Sequence, residues 1–384
     1  MPLPPTLIAA VPLFIWIYLL LARGHFWRVR EDHLEPKPLE NWPRVTVIVP
    51  ARNEAQTIAQ SILSLAKQDY PGEFSIILVD DHSEDGTAVL AEQAANESGT
   101  PQRVNIHSAA PLVPGWTGKL WALNEGVFAA AEQTPVFFWF TDADVVHAPD
   151  TLRCLVFRAE SDSLDLASLM VLLQAKTLPE RLLIPPFLYF FLMLYPPRWI
   201  ADPHASTAGA AGGCMVLRRS ALERIGGMAA IRGQLIDDCA LARAVKKSGG
   251  QIWMGLTSTS VSLRNYGTFA EIRDLIARTA FTQLRYSFLL LIAALIGLFV
   301  IFLLAWIAFF TLDDPGWLLA STAISIMTAT HGAAVRFYGL PWVWALTLPF
   351  AAVFYGYATC VSAVRYWLGR GGQWKGRAQA QRRD

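Results

Sequence analysis

The stretch VTVIVPARNE, residues 45–54, decides the fold of this chain. Its first half, Val45–Val49, is an apolar and mostly β-branched run that predicts a buried strand, and its second half is a polar turn. Two further apolar runs, Ser75–Val79 and Val136–Phe140, also end in polar residues. Segments of helical character lie between the runs, including Glu54–Gln68 and Thr87–Asn96. This β-α-β-α-β order predicts an α/β fold with a mostly parallel, Rossmann-like sheet and helices on both faces.

Composition indicates that the chain also enters a membrane. Hydrophobic residues make up 53% of its 384 residues and charged residues only 16%, whereas charged residues make up about 25% of soluble domains. The apolar excess collects near the two ends of the chain. Four stretches there predict membrane segments, the weakest being the one that contains His331: Thr6–Ala22, Ser287–Phe310, Trp317–Ala334 and Pro341–Val364.

The charges that flank these stretches predict the topology. Arg23, Arg28 and Arg30 follow the first stretch, so the positive-inside rule places what comes next in the cytoplasm. We therefore expect a multi-pass protein of the inner (cytoplasmic) cell membrane whose soluble domain faces the cytoplasm. The tail after Val364 is also basic, although three crossings would leave it outside. One stretch, which we expect to be Trp317–Ala334, therefore does not fully cross.

These patterns divide the chain into six regions. They are an N-terminal transmembrane anchor (1–23), a proline-bearing linker (24–43), the α/β domain (44–270), an amphipathic interface helix (271–286), a C-terminal transmembrane region (287–364) and a basic cytoplasmic tail (365–384). Within the α/β domain, Leu182–Trp199 is apolar but has prolines at both ends, which leave too few residues to span a bilayer. We expect this segment to lie at the membrane interface or in a buried core.

Composition also bears on partners and redox state. The net charge is +1, so nothing favours nucleic acid as a partner. The four cysteines lack metal-ligand spacing and do not form a disulfide framework, which is typical of reduced cysteines in a cytosolic domain.

Polar clusters follow the first two predicted strands, at the sheet edge where ligands bind in such folds. After the first strand, Asn53 and Glu54 either contact a ligand or, in the case of Asn53, cap the next helix. After the second strand, the adjacent carboxylates of Asp80 and Asp81 either hold a polar group of a ligand or belong to an Asx-rich loop before a helix.

Two further clusters contain paired carboxylates. Asp142 and Asp144 follow the third strand, and on an extended segment their side chains point the same way. Hard divalent cations prefer oxygen ligands, so the pair predicts Mg²⁺ or Mn²⁺ that bridges to a diphosphate. Asp237 and Asp238 open the predicted helix Cys239–Lys247, where a carboxylate either only favours the helix dipole or acts as a general base.

Together the clusters resemble the family 2 glycosyltransferases, which have the GT-A fold, from Val45 to about Tyr286. The matching motifs are Pro50-Ala51-Arg52-Asn53-Glu54, Val79-Asp80-Asp81 with Ser83 and Asp85-Gly86-Thr87, Gly118-Lys119, Asp142-Ala143-Asp144 and Asp237-Asp238. The resemblance implies a nucleotide-sugar donor, expected to be a UDP-sugar, and a divalent metal. The residues it assigns are Ala51, Glu54, Asp81, Asp142 and Lys119 to the donor, Asp142 and Asp144 to the metal, and Asp238 to the catalytic base.

A closer resemblance is to ceramide glucosyltransferase-like enzymes, and in particular to hopanoid-biosynthesis-associated glycosyltransferases. It is carried by Gly115-Trp116-Thr117-Gly118-Lys119-Leu120-Trp121, Gly212-Gly213-Cys214-Met215 and Gly372-Gln373-Trp374-Lys375-Gly376-Arg377. The chain departs from the family at Asp237, where glutamate is common, and at Thr282–Tyr286, where the Gln-x-x-Arg-Trp motif is incomplete. We still expect Arg285 to reach the donor diphosphate and Tyr286 to line the acceptor site.

These features predict transfer of a sugar, with inversion, to the hydroxyl of a membrane lipid. The resemblance implies a hopanoid or related polyol lipid as the acceptor, and therefore a role in glycolipid biosynthesis. Two alternatives stand beside this prediction. One is a catalytically silent membrane scaffold that keeps the fold, and the other is a nucleotidyltransferase with a similar sheet and similar metal carboxylates.

Overall fold

The computed structural model of the protein describes residues 5–32, 36–374 and 377–380. The strands in these ranges are β1 (Val45–Ala51), β2 (Phe74–Asp80), β3 (Val104–Ser108), β4 (Phe137–Thr141), β5 (Val145–His147), β6 (Leu166–Leu172), β7 (Cys214–Arg218), β8 (Ile252–Ser262), β9 (Gly371–Trp374) and β10 (Arg377–Ala380). One sheet has the order β3-β2-β1-β4-β7-β6-β8-β5, and β9 pairs with β10 in a separate hairpin.

Helices pack on this sheet and form a bundle beside it. They are α1 (Pro5–Leu21), α2 (Ile58–Ala66), α3 (Thr87–Glu97), α4 (Gly118–Ala129), α5 (Thr151–Ser161), α6 (Leu178–Leu194), α7 (Pro197–Ala201), α8 (Arg219–Arg224), α9 (Asp237–Lys247), α10 (Phe269–Ala277), α11 (Ala280–Gln283), α12 (Phe288–Leu298), α13 (Leu304–Thr311), α14 (Gly316–Phe337) and α15 (Leu348–Trp367). A π-helical turn, Phe299–Leu303, joins α12 to α13. Short 3₁₀ turns occur at Pro101–Arg103, Ala131–Gln133, Met228–Ile231 and Trp342–Thr347.

The predicted mostly parallel α/β sheet is confirmed. Strands β3, β2, β1 and β4 run parallel, and β6 is parallel to β8, whereas β7 and β5 are antiparallel to their neighbours. In register, Ala51 lies opposite Asp80 and Ile48 lies opposite Phe140. The polar residues that follow β1, β2 and β4 therefore meet at one edge of the sheet.

The alternation of residues in β1 divides the core between the two faces of the sheet. Val47 and Val49 belong to the apolar cluster that contains Ile62 of α2, and Ile48 belongs to the cluster on the opposite face. Helix α4 approaches that second face so closely that a side chain at Gly126 would overlap Ile48. This close approach fixes the start of α4, which carries Lys119, against the carboxyl end of β1.

The predicted linker 24–43 is docked on the sheet where it is described. Ser258 donates its N–H to Glu31 Oε1 (2.8 Å), and Leu256 donates its N–H to Asp32 Oδ2 (3.0 Å). These bonds attach the chain that leaves α1 to β8. Residues 33–35 of the linker and 1–4 of the predicted anchor lie outside the described residues, as do residues 375, 376 and 381–384 of the predicted tail.

Four helices of the described chain are long and apolar enough to cross a membrane, judged by length and composition alone. They are Leu178–Ala201, Phe288–Thr311, Gly316–Phe337 and Trp342–Trp367, whereas the N-terminal helix is shorter, at Thr6–Leu21. Three of the four coincide with stretches that the composition predicts.

The fourth helix corrects the expectation for Leu182–Trp199. The prolines do not bound a short apolar segment, because α6 begins at Leu178 and continues through Pro185 and Pro186. A capping box between Thr177 and Glu180 fixes its start. Prolines inside a helix leave carbonyls of the preceding turn without their usual N–H donors. In α6 these are the carbonyls of Arg181 and Leu182. The Tyr355 hydroxyl donates to the next carbonyl, that of Leu183 (2.9 Å), and so joins α15 to this turn.

The predicted single amphipathic helix over Arg273–Tyr286 is also wrong. The chain forms two short helices, α10 and α11, with a break at Arg278 and Thr279. After α11, Arg285 and Tyr286 both have left-handed backbone angles, with φ of 52° and 57°. The polypeptide therefore turns sharply before it enters α12.

Candidate active site

A cleft of about 590 Å³ lies at the polar edge of the sheet. Its charged lining comes from the residues that follow β1, β4 and β8, from the first turns of α4 and α9, and from α10 and the residue after it. The charged residues in this lining are Glu54, Lys119, Asp142, Asp144, Asp237, Arg264, Glu271, Asp274 and Arg278. The cleft thus brings together charged residues from six elements that are well separated in the sequence.

Asp142 and Asp144 both line the cleft, but not on an extended segment. They lie in a tight turn between β4 and β5. Asp142 Oδ1 pairs with Lys119 Nζ at 2.8 Å. Asp144 Oδ2 accepts a hydrogen bond from Ser262 Oγ at 3.1 Å and lies 3.4 Å from Arg264 Nε. The predicted common direction of the two carboxylates therefore arises from the turn and not from strand alternation.

A buried polar network anchors this turn. The Thr141 hydroxyl donates to the carbonyl of Gly213 (2.9 Å) and lies 2.8 Å from His147 Nε2. His147 Nδ1 lies 2.9 Å from Ser260 Oγ. Burial lowers the pKa of His147 to about 3, so the ring is neutral. Because Thr141 uses its proton on Gly213, the ring donates from Nε2 and accepts from Ser260 at Nδ1.

Lys119 joins the two acidic pairs. Its ammonium lies 2.8 Å from Asp142 Oδ1 and 3.3 Å from Asp237 Oδ2. Burial alone would lower the pKa of Lys119, but the charges of Asp142 and Asp237 outweigh it and hold that pKa above its usual range. Lys119 is therefore a cation at neutral pH. Contact between Lys119 and an anionic group of the donor stays a prediction.

The first turn of α9 presents its two carboxylates differently. Asp237 lines the cleft and faces Lys119. Asp238 is half-buried; its Oδ2 accepts from the Gly212 N–H (3.0 Å) and its Oδ1 from the Cys239 N–H (2.7 Å). Burial and the charge of Asp237 raise the pKa of Asp238 to about 6, although Lys119 and the two N–H groups act in the other direction. Asp238 therefore titrates close to neutral pH.

The loops after β1 and β2 are bound to each other. The Asn53 N–H donates to Ser83 Oγ (2.9 Å), and the Glu84 N–H donates to Asn53 Oδ1 (3.0 Å). The Glu54 N–H donates to Thr87 Oγ1 (2.8 Å). Asn53 takes a left-handed backbone angle and does not serve as a helix cap, since α2 begins only at Ile58.

Of the residues assigned to the donor in these two loops, Glu54 reaches the cleft. Ala51 is the last residue of β1 and is buried; its carbonyl accepts from the Asp81 N–H (2.9 Å). The Asp81 side chain is 1% exposed and lies 3.5 Å from Arg52 Nη1. Ala51 and Asp81 thus support the edge of the site from within the domain, while Glu54 faces its interior.

Two arginines of the cleft lie outside the motifs that the sequence singled out. Arg264 follows β8, and its guanidinium lies 3.1 Å from Glu54 Oε1 and 3.4 Å from Asp144 Oδ2. Arg278 ends α10, is exposed and lines the same cavity. No hydrogen bond or ion pair joins the Arg278 guanidinium to another residue within the described ranges. The one sequence signal for Arg264 was its place directly after a strand.

Arg285 and Tyr286 are positioned away from this cleft. Among the described residues that line the cavity, the arginines are Arg264 and Arg278, and neither Arg285 nor Tyr286 is included. Tyr286 stacks on Tyr366 with ring centroids 4.2 Å apart. The sharp turn after α11 directs Tyr286 toward α15 and leaves Arg285 exposed, which is the physical reason for the difference from the expected positions.

The pair Asp142 and Asp144 fits a hard divalent cation. Within the described part of the chain, no three His, Cys, Asp or Glu side chains cluster closely enough to hold a metal by themselves. Mg²⁺ commonly binds one or two carboxylates and completes its shell with water and substrate phosphates. Two carboxylates that open into a cleft with three basic side chains supply this donor set together with a diphosphate.

Comparison with known proteins shows what part of the chain resembles. A model described as glycosyl transferase family 2 matches residues 46–226. An N-acetylglucosaminyltransferase from Rhizobium leguminosarum bv. viciae is 28% identical over 162 residues, which are 41% of this chain and 36% of the relative. One from Mesorhizobium japonicum is 29% identical over 134 residues, which are 35% of this chain and 30% of the relative. The match thus spans about a third of the length of these curated relatives.

The region 46–226 is thus similar to family 2 glycosyltransferases. The solved structure of a mannosyltransferase from Pyrobaculum calidifontis, in complex with GDP-Man and Mn²⁺, covers 94% of this chain and 99% of its own length. Its TM-score is 0.55 and its sequence identity is 20%, so the likeness is one of fold. The predicted GT-A fold is thereby confirmed.

The matched region contains Glu54, Lys119, Asp142 and Asp144 but ends before α9. The second acidic pair and both cleft arginines lie further along the chain. Residues beyond the matched region, including Asp237, Arg264 and Arg278, therefore line the same cleft.

Proposed function

We propose that the protein transfers a sugar from a nucleoside diphosphate sugar to a hydroxyl group of a membrane lipid. The observation that carries this proposal is Lys119, which lies between Asp142 and Asp237 in one cleft. A site for a donor diphosphate and a site for an acceptor proton are thereby adjacent. The match to the family 2 model and the N-acetylglucosaminyltransferase relatives support sugar transfer as the reaction.

The donor is held by the basic side of the cleft. Lys119, Arg264 and Arg278 supply three cations around the carboxylates of Asp142 and Asp144. Arginine binds phosphate through paired N–H donors, and Lys119 acts as a point charge. Glu54 lies at the nucleoside end of the cleft as we propose it, held by Arg264. A UDP-sugar is the first donor to test.

A divalent metal completes the donor site. Asp142 and Asp144 are the residues that would hold Mg²⁺ or Mn²⁺. When bound, such a metal neutralises negative charge on a departing diphosphate. Arg264 and Arg278 act on the same charge from the protein side, because a fixed cation stabilises charge that develops during reaction.

Asp238 is the proposed general base. It accepts the proton of the acceptor hydroxyl while the hydroxyl oxygen bonds to the anomeric carbon of the sugar. The bond from that carbon to the diphosphate breaks, and the nucleoside diphosphate leaves. A single displacement of this kind inverts the anomeric configuration. The raised pKa of Asp238, about 6, suits the role because a base is most effective when its pKa is near the working pH.

The acceptor is proposed to be a lipid because apolar helices border the cleft. Phe187 of α6 and Leu275 of α10 both line the cavity. Helices α6, α14 and α15 pack together on that side, where the Tyr189 and Thr330 hydroxyls are 2.8 Å apart. A hydroxyl-bearing lipid enters from this side, and a hopanoid or related polyol lipid is the acceptor that the closer resemblance suggests. Arg23 and Arg28 favour a catalytic domain on the cytoplasmic face of the inner membrane.

Purified protein in nanodiscs tests the proposal directly. Labelled nucleotide sugars are supplied with Mn²⁺ or Mg²⁺, with and without extracted lipid, and all products are identified. We expect glycolipid and nucleoside diphosphate. A nucleotidyl conjugate with released diphosphate would indicate a nucleotidyltransferase, and no product with any donor would indicate a silent scaffold; either result overturns the proposal.

A further inference from the structure

The last apolar segment, Trp342–Trp367, differs from the other membrane helices in where it begins. One end of the bundle is marked by Ala9, Ala308 and Ala320, which pack together at the start of α14. Residues of α15 are absent from this cluster in the described chain. We call it the distal end, because it contains the start of α1 and the end of α13, both remote in the chain from the catalytic domain.

Helix α14 runs from the distal end back to the catalytic domain. Near its other end, the Thr330 hydroxyl lies 2.8 Å from the hydroxyl of Tyr189 in α6. In the chain, helix α6 follows β6 and precedes β7, and it lines the cleft through Phe187. Helix α14 also follows Asp313 and Asp314 and ends with Arg336 in its last turn. The positive-inside rule counts Lys and Arg, so Arg336 favours the catalytic side as the inside and the distal end as the outside.

The segment 342–367 starts well inside the bundle. Ala345, one turn before α15, accepts a hydrogen bond at its carbonyl from His331 Nδ1 (3.1 Å) if that nitrogen carries the proton. His331 lies 11 residues beyond Ala320, or roughly 16 Å at 1.5 Å per residue. The start of α15 is therefore separated from the distal end by about half of the hydrocarbon thickness of a bilayer.

From there α15 runs beside the two short helices of the catalytic domain. Phe269 contacts Phe354, with ring centroids 5.9 Å apart. Further along, the Phe281 N–H donates to Ser362 Oγ (3.1 Å), and Arg365 pairs with Asp274 at 2.7 Å. Helix α10 also brings Glu271, Asp274 and Arg278 to the cleft. Placing a charged group in the hydrocarbon core costs several kcal/mol. Because α15 packs along the charged helix α10, α15 cannot cross the bilayer unless α10 enters it too.

The chain after α15 returns to the cleft. Gly372, five residues beyond Trp367, is part of the cavity wall beside the catalytic carboxylates. The end of α15 therefore lies on the same side of the membrane as the catalytic domain. The end of α14 lies on that side too, so the segment between them enters and leaves by one face.

We propose that Trp342–Trp367 is a re-entrant segment that does not cross the bilayer. Its outer face is covered by lipid, because exposed apolar side chains form a stripe at helical spacing on one side of it: Leu346, Phe350, Val353, Tyr357 and Val364. After the catalytic domain, the segments that cross the bilayer are then Phe288–Thr311 and Gly316–Phe337. This assignment replaces the expectation that Trp317–Ala334 is the segment that fails to cross, and it does not depend on the proposed activity.

Sidedness of labelling distinguishes the possible topologies. Single cysteines are introduced as Asp313→Cys, Arg336→Cys and a cysteine appended after Asp384, each in a Cys360→Ala background, since the other native cysteines are buried. Gln93→Cys on α3 reports the face of the catalytic domain. Sealed vesicles of defined orientation are treated with a membrane-impermeant maleimide.

We expect cysteines at 93, 336 and the C-terminus to react from one face and the cysteine at 313 from the other. If the cysteine at 336 is labelled from the same face as that at 313, and the C-terminal cysteine from the same face as that at 93, then Gly316–Phe337 is the segment that fails to cross. If the C-terminal cysteine is labelled from the same face as that at 313, all three segments cross. Either pattern overturns the re-entrant assignment. Reaction of every position after detergent is added controls for cysteines that are merely inaccessible.

Discussion

Asp238 is held from two sides by backbone N–H groups, those of Gly212 and Cys239. Its neighbour Asp237 pairs with Lys119 and raises the pKa of Asp238 to about 6 together with burial. A base must be ionised to accept a proton. We therefore expect the rate of transfer at saturating donor to fall as pH decreases through about 6, which a pH–rate profile measures.

Substitution separates the two carboxylates. Asp238→Asn removes the charge and keeps the shape, so donor binding should persist while transfer falls by about 10²–10⁴-fold, the usual contribution of a general base. Asp237→Asn removes a charge that raises the pKa of Asp238. The midpoint of the acid limb of the pH–rate profile should therefore move below about 6. If Asp237→Asn abolishes transfer and Asp238→Asn does not, then Asp237 is the base.

Arg278 tests the proposed donor site, and Arg285 serves as its control. Arg278 lines the cleft without an internal ion pair in the described chain, and Arg285 lies beyond the turn after α11. A hydrogen bond to a charged group contributes about 1.5–3 kcal/mol, so Arg278→Ala should raise the KM for donor by roughly 10- to 100-fold. Arg285→Ala should leave it within about twofold. Steady-state kinetics with varied donor decide, and a larger effect at Arg285 would contradict the assignment.

The metal role of Asp144 is tested without turnover. Asp144 is held by Ser262 and Arg264 at the cleft wall. In the native protein, donor with Mn²⁺ should raise Tm more than either alone, because binding to the folded state stabilises it. Asp144→Asn should lose this added shift, and a chelator should abolish it in the native protein. Asp237→Asn, which changes a carboxylate outside the proposed metal site, should retain it; an undiminished shift in Asp144→Asn would exclude the metal role.

At the scale of elements, α6 depends on the carboxylate of Glu180. That side chain is fully buried and accepts from the N–H groups of Lys176, Thr177 and Tyr266. The bond to Tyr266 ties the start of α6 to the loop that carries Arg264 into the cleft. Glu180→Ala leaves buried N–H groups unpaired, each costing about 1–3 kcal/mol.

We expect Glu180→Ala to lower Tm measurably in thermal unfolding followed by tryptophan fluorescence. Glu223→Ala is the control, since Glu223 makes an exposed pair with Arg219 within α8. Exposed pairs contribute about 0–1 kcal/mol. Equal Tm values for the two variants would show that Glu180 does not stabilise the junction between α6 and the cleft.

The elements that the sequence predicts well are those whose patterns are local. Strands β1, β2 and β4 are short apolar runs, and the start of α9 at Asp237 follows from a charged N-terminus before helical residues. Helices α6 and α10 were mispredicted because neighbours decide them. Tyr355 from α15 supports the proline-containing turn of α6, and the break after α10 interrupts a periodicity that continues in the sequence.

The candidate site divides in the same way. Asp142, Asp144 and Asp237 are found from the sequence because each directly follows a strand or opens a helix. Arg264 and Arg278 reach the cleft only because β8 and α10 fold over it, and no spacing in the chain encodes that approach. Asp81 shows that a motif does not by itself predict exposure to the cleft. Its side chain is buried within the domain and contacts Arg52.

In the molecule as a whole, the catalytic cleft is built from both the sheet and the membrane-facing helices. Asp142 at the end of β4, Phe187 of α6 and Gly372 after the last helix share one cavity. Under the proposed function, a donor from the cytoplasm and an acceptor from the bilayer reach this cavity from different sides. This arrangement is the basis for proposing a lipid as the acceptor.

Product analysis in nanodiscs is the most direct test of sugar transfer to a membrane lipid. Native protein and Asp238→Asn are each incubated with a labelled UDP-sugar, Mn²⁺ and extracted lipid, and the lipid and soluble fractions are analysed by mass spectrometry. We predict a lipid that gains one sugar and an equal amount of nucleoside diphosphate with the native protein, and neither with the variant. Label that appears only in soluble acceptors, with the lipid fraction unlabelled across a panel of donors, would contradict the account.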